Sequence, residues 1–99
     1  RFAQVAGLRY TFDPSLPSGA RVSAVTVMED GAWVPLDPAR IYGVVTNNYV
    51  RQGCDGFRMF LSDAQNVYDY GPDLADVLAE YMIEHAPVHP VIDGRITRK

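Results

Sequence analysis

The chain has 99 residues, 47% hydrophobic and 21% charged, an ordinary globular composition that leaves room for one domain at most. A formal net charge of -3 and a pI of about 5.1 argue against a nucleic-acid polymer or an anionic membrane as partner, since both reward a basic face. The single cysteine, Cys54, excludes an intrachain disulfide, and no apolar run approaches the roughly 18 residues of a membrane span.

A domain of this size buries roughly 60–65% of the surface that its unfolded chain exposes, enough for a modest core. No charged n-region and apolar h-region of a signal peptide are visible. The start at Arg1, without a methionine and straight into strand-like sequence, is what a fragment of a longer protein shows.

From Leu8 the pattern alternates, with Leu8, Tyr10 and Phe12 on one side and Arg9, Thr11 and Asp13 on the other, which predicts a half-buried strand. Asp13 to Gly19 is a loop by its two prolines and glycine. Val22 to Met28 is rich in β-branched residues and predicts a second strand. Glu29-Asp30-Gly31 supplies a turn and Trp33 to Leu36 a short return, so a hairpin is expected, with Pro35 marking an edge or a strand end.

Asp37-Pro38 breaks the chain again. Ile41 to Thr46 is almost continuously apolar, as a central strand covered on both faces would be. Asn47 to Gly56 reads as a loop and Phe57 to Leu61 as another short strand. The convincing helix runs from about Pro72 to about Ala86. In it Leu74, Val77, Leu78, Tyr81 and Met82 form one apolar stripe, Asp73 and Asp76 complement the dipole, and Pro87 ends it. The tail Val91 to Ile96 has a turn at Asp93-Gly94 and a last short strand. The expected class is α+β: a mixed or antiparallel sheet with hairpins, and one C-terminal amphipathic helix packed on it.

One segment stands out chemically, Thr46 to Phe57. Its two glycines permit backbone angles closed to other residues and close approach to a ligand. It also carries an aromatic, Tyr49, and a carboxylate, Asp55. An aromatic can stack on a flat heterocycle, and a carboxylate can accept two hydrogen bonds from a vicinal diol such as ribose. The plainer reading of the same residues is a loop in which Tyr49 covers the core and Asp55 caps a turn.

The order Phe2-Ala3-Gln4-Val5-Ala6-Gly7-Leu8-Arg9-Tyr10-Thr11-Phe12-Asp13-Pro14, then Arg21-Val22, Leu36-Asp37-Pro38, Tyr42, Thr46-Asn47 and Gly53-x-Asp55-Gly56-Phe57, closing on Pro90-x-x-Asp93-Gly94-Arg95-Ile96, resembles the C-terminal domain of the 5′-nucleotidases. That family includes nucleotidase/UDP-sugar hydrolases, ecto-5′-nucleotidases and 2′,3′-cyclic-nucleotide phosphodiesterases. The resemblance covers nearly the whole chain. It makes residues 1–99 the latter portion of a nucleotide-recognition domain.

The resemblance implies an N-terminal metallophosphoesterase domain holding two divalent metal ions outside this chain, and no cofactor within it. It implies that Tyr49, six positions before Asp55, stacks on the base and that Asp55 binds the ribose hydroxyls. Asn47, Gly53 and Gly56 complete the implied substrate-binding set, and no catalytic residue or metal ligand falls here. A periplasmic or cell-surface setting is implied as well. Two positions depart from the family pattern: Tyr49 stands where members frequently have Phe, and Cys54 stands at the motif's second glycine, where a positive φ would strain it.

Other signals point to plainer roles. His85 and His89 are separated by Pro87, cannot share a helical face, and make a poor metal pair. Cys54 has no histidine nearby in sequence to activate it. The expected function is a nucleotide-recognition module of a metal-dependent phosphoesterase. The alternatives are a non-catalytic extracellular binding module of the same fold, or the same scaffold acting on a cyclic nucleotide, a UDP-sugar or a thiol ester. If covering parts of the domain lie elsewhere, exposed apolar surface is expected to drive self-association.

Overall fold

The alternation from Leu8 builds β1 (Leu8–Phe12) in the computed structural model, which describes residues 2–99. β2 (Val22–Glu29) and β3 (Ala32–Pro35) form the expected hairpin, with Met28 opposite Trp33 and Glu29 opposite Ala32. Asp30 and Gly31 connect them at φ 47° and 80°. Two consecutive left-handed residues match the twist of a hairpin, and an Asp-Gly pair adopts them readily. β4 (Ile96–Arg98) follows the Asp93-Gly94 turn and pairs parallel to β1, Tyr10 facing Ile96.

The sheet order is β3-β2-β1-β4, antiparallel except at the last pair. The mixed sheet with separate helices is the α+β architecture that the sequence predicts. Between Arg9 and Thr11 the register with β2 slips by one residue, leaving Ala24 and Val25 opposite Tyr10 alone. Ala24 takes the left-handed angle of this bulge, φ 51°, without being a glycine.

Side chains brace the sheet. The Arg9 guanidinium lies 4.0 Å over the Trp33 ring, the Tyr10 hydroxyl donates to the Ala3 carbonyl at 2.9 Å, and the Phe2 and Phe12 rings meet edge to face. Arg40 pairs with Glu29. Arg95 donates through Nη1 to the Val5 carbonyl at 2.8 Å while its Nε lies 2.8 Å from Asp93 Oδ2. The hydrogen bond from Arg95 holds the Asp93 carboxyl below its ordinary range, and the Ser15 hydroxyl does the same for Asp13.

The chain gathers into two compact units. The sheet unit is Phe2–Tyr42 with Val91–Lys99, and the other includes Gly43–Pro90. The second unit holds α1 (Asn48–Arg51), α2 (Met59–Ser62) and α3 (Leu74–Glu84), with a 3-10 turn at Cys54–Gly56.

Several expectations fail here. Ile41 to Thr46 is not a strand, and Ile41, Val44 and Val45 are 73%, 62% and 100% exposed. A β-prone run becomes a strand only when a neighbour satisfies its backbone, and this run pairs with none of the four strands, whose order is β3-β2-β1-β4. Asn47 to Gly56, expected as a loop, holds α1 and the 3-10 turn, seven of its ten residues. Phe57 to Leu61 lacks a strand partner too, and its C-terminal part enters α2, with the Phe57 and Phe60 rings 6.2 Å apart at helical spacing.

The late helix is present, shorter than expected. Asp73 is its N-cap, accepting from the Ala75 and Asp76 amides at 2.9 and 3.4 Å, so Pro72 precedes the helix instead of opening it. At the other end His85 stacks on Tyr81 at 4.0 Å. This helix belongs to the second unit rather than to the sheet unit, and its apolar stripe from Leu74 to Met82 stays exposed. The four-residue helices of its own unit are too short to cover it.

Candidate functional site

The five residues singled out by sequence fall on α1 and the 3-10 turn that follows. Asn47 is the N-cap of α1, in extended conformation, and its side-chain oxygen accepts the Val50 amide at 2.9 Å. Tyr49 sits in the first turn of α1 and is 57% exposed, so its ring has a free face. Gly53 ends α1 at φ 82°, its amide bonded to the Val50 carbonyl. A Cβ added there would stand 3.3 Å from the Arg58 backbone. Both facts demand glycine.

Asp55 and Gly56 then take left-handed angles in succession, φ 56° and 80°. An aspartate tolerates this region better than most side chains. Asp55 is exposed, and among the described residues its carboxylate takes part in no hydrogen bond or ion pair. Cys54 keeps a negative φ, so the strain expected at that position does not arise; the left-handed angles fall on its neighbours Gly53 and Asp55. Its thiol is free and half-buried.

A short helix and a tight turn thus present one unengaged ring and one unengaged carboxylate, six positions apart. Arg51 is the residue that draws no attention in the sequence. It lies in the last turn of α1, Nη1 donates to the Phe60 carbonyl of α2 at 2.7 Å, and Nε lies 3.1 Å from Asp69 Oδ1. The signal available was only a cation near a helix end.

A cavity of about 160 Å³ in the sheet unit is lined by Gln4 and Val91 to Ile96. It contains none of the five residues and is smaller than the roughly 300 Å³ at which small-molecule pockets begin. Among the described residues no three His, Cys, Asp or Glu side chains gather as metal ligands. No helix among them is long and apolar enough to cross a membrane.

Residues 1–62 match the family profile described as 5′-nucleotidase, C-terminal domain. Over 96% of the chain it is 35% identical to a 5′-nucleotidase of Diplobatis ommata, covering 17% of that protein. It is 31% identical to an apyrase of Tabanus yao over 94% of the chain and 17% of that protein. The crystal structure of a 5′-nucleotidase precursor from Thermus thermophilus superposes with a TM-score of 0.86 at 42% identity, covering 96% of this chain and 19% of that one. The chain thus spans less than a fifth of the length of these relatives. The profile match over more than half the residues, joined to a shared fold at that identity, places the chain in the 5′-nucleotidase C-terminal domain family.

Proposed function

We propose that this chain is the base- and ribose-recognition part of a 5′-nucleotidase-type, metal-dependent phosphoester hydrolase, the latter portion of its C-terminal domain. The observation that carries the reading is the pairing on one capped segment of an exposed Tyr49 ring with an Asp55 carboxylate that has no partner among the described residues. A flat purine or pyrimidine would stack on Tyr49, and the two ribose hydroxyls would donate to Asp55.

The chain's own contribution is binding and orientation. Stacking on an aromatic contributes about 1–3 kcal/mol per base. Binding energy at this remote end of the substrate places the phosphate for attack, so damage here raises KM and lowers kcat where orientation suffers. The two divalent metal ions implied for the N-terminal domain would supply an activated water there. Relatives named as snake venom 5′-nucleotidases favour a setting outside the cytoplasm.

The test is made in the full-length protein. Tyr49→Ala is expected to lower kcat/KM for AMP by about 5- to 160-fold, the range that loss of one stacking contact gives. A change smaller than twofold rules out stacking. Asp55→Ala is expected to cost ribonucleotides more than analogues lacking the ribose diol, and equal losses contradict its assignment. A relative named as an apyrase favours a second reading, the same scaffold on another substrate. Turnover of a panel spanning nucleoside mono-, di- and triphosphates, a cyclic nucleotide, a UDP-sugar and a thiol ester separates the two.

A further inference from the structure

A helix of four residues does not hold itself in water, where isolated helices shorter than about 12 residues are marginal. Yet α1 must keep the Tyr49 ring at one angle if that ring is to bind a base. Its N-terminal end is fixed by the Asn47 cap. Its C-terminal end has one long-range anchor, Arg51, whose side chain is only 24% exposed.

That anchor has two arms. Nη1 donates at 2.7 Å to the carbonyl of Phe60, one of the late carbonyls that the short α2 cannot satisfy internally. A cation at a helix C-terminus is also favoured by the dipole. Nε lies 3.1 Å from Asp69, which stands between the exposed Tyr68 and Tyr70. The Tyr68 and Tyr70 rings on either side of Asp69 meet edge to face at 5.8 Å. The guanidinium therefore joins α1, α2 and the 66–70 segment, all within the Gly43–Pro90 unit.

We propose that Arg51, held by Asp69, is a positioning residue for nucleotide binding: it does not touch the substrate but fixes the helix that presents Tyr49. This rests on the stacking assignment of Tyr49 above. A planar delocalised fork suits the task, because Nη1 donates to the Phe60 carbonyl while the same charge lies beside the Asp69 carboxylate as an ion pair without a hydrogen bond from Nε, whereas lysine offers a single point charge.

The test is a cycle in the full-length protein, with KM and kcat measured for AMP or for the panel nucleotide turned over fastest. Arg51→Ala and Asp69→Asn are each made in the native background and in Tyr49→Ala. Expected in the native background is a KM raised about three- to tenfold with kcat within about twofold, consistent with a misplaced binding group. With Tyr49 already removed, the same changes are expected to raise KM no further. Arg51→Lys should fall between the native protein and Arg51→Ala. Should Arg51→Ala fail to fold, Asp69→Asn, which removes only a charge, carries the same comparison.

An unchanged KM in both native-background variants overturns the proposal. So does an equal rise with and without Tyr49, since that is what a general structural role gives. If Tyr49→Ala itself leaves KM unmoved, the stacking assignment fails and this proposal falls with it. If Tyr49→Ala raises KM while the Arg51 and Asp69 changes do not, the stacking stands and only the positioning role is lost.

Discussion

The sheet unit and the Gly43–Pro90 unit secure their backbones by different means. In the sheet, β1 is bonded on both sides, to β2 and β4, and β2 to β1 and β3, so each central residue is over-determined by neighbours. Among its described residues the other unit has no ladder. Its α1 and α2 are four residues each, and single groups at their ends fix them: the Asn47 cap, Gly53, and Arg51 on the Phe60 carbonyl. A structure held by ladders tolerates a local misfit, while one held by caps transmits it. The residues assigned to nucleotide binding lie on the second kind.

Left-handed positions in the two units break this contrast in opposite directions. Gly53→Ala places a Cβ at φ 82° and 3.3 Å from the Arg58 backbone. It is expected to cost about 2 kcal/mol, from the left-handed penalty plus the close contact. Denaturant unfolding of the full-length protein would show the loss, and amide hydrogen exchange would place it in residues 48–62. A loss under about 0.5 kcal/mol by the same measurement, well below the usual penalty, would show that caps do not govern this unit.

Ala24→Gly sharpens the other side. Ala24 sits at φ 51° in the β2 bulge, where the sheet enforces an angle that alanine resists. Glycine there should stabilise by about 0.5–1 kcal/mol, or break even once its greater unfolded-state entropy is counted. A marked loss would mean that the Cβ of Ala24 packs more than its angle costs.

The smallest effect is electrostatic. Folding holds the Asp93 carboxyl below its ordinary value, chiefly through the Arg95 hydrogen bond. Its contribution is therefore complete above about pH 4 and is lost as pH falls through the lowered value. Asp93→Asn should unfold slightly earlier than the native chain at about pH 6, and the gap should narrow as pH falls below about 4. A gap independent of pH would assign the effect to packing and not to charge.

What the sequence revealed divides along the same line. β1, the hairpin through Asp30-Gly31, the Asp93-Gly94 turn and the last strand were legible, because alternation and turn chemistry are local signals that the ladder then obeys. The apolar run from Ile41 to Thr46 was legible as a segment that prefers burial but not as one without a strand to pair with, since pairing is a property of the neighbours. Phe57 to Leu61 went the same way: periodicity over five residues cannot tell two from 3.6. The glycine requirement at Gly53 follows from an approach by Arg58 that composition does not show. Tyr49 and Asp55 were marked by a family resemblance rather than by chemistry alone, and Arg51 by neither, because its partners lie nine and eighteen positions away.

The Arg95 guanidinium reaches the Val5 carbonyl across 90 residues of sequence, beside a strand that joins β1 only after the Gly43–Pro90 segment has been made. On the ribosome, β1, β2 and β3 can meet early, while the open flank of β1 must wait for the tail to emerge. During that interval a bare strand edge is on offer to any passing chain, which gives a translating cell reason to shield it.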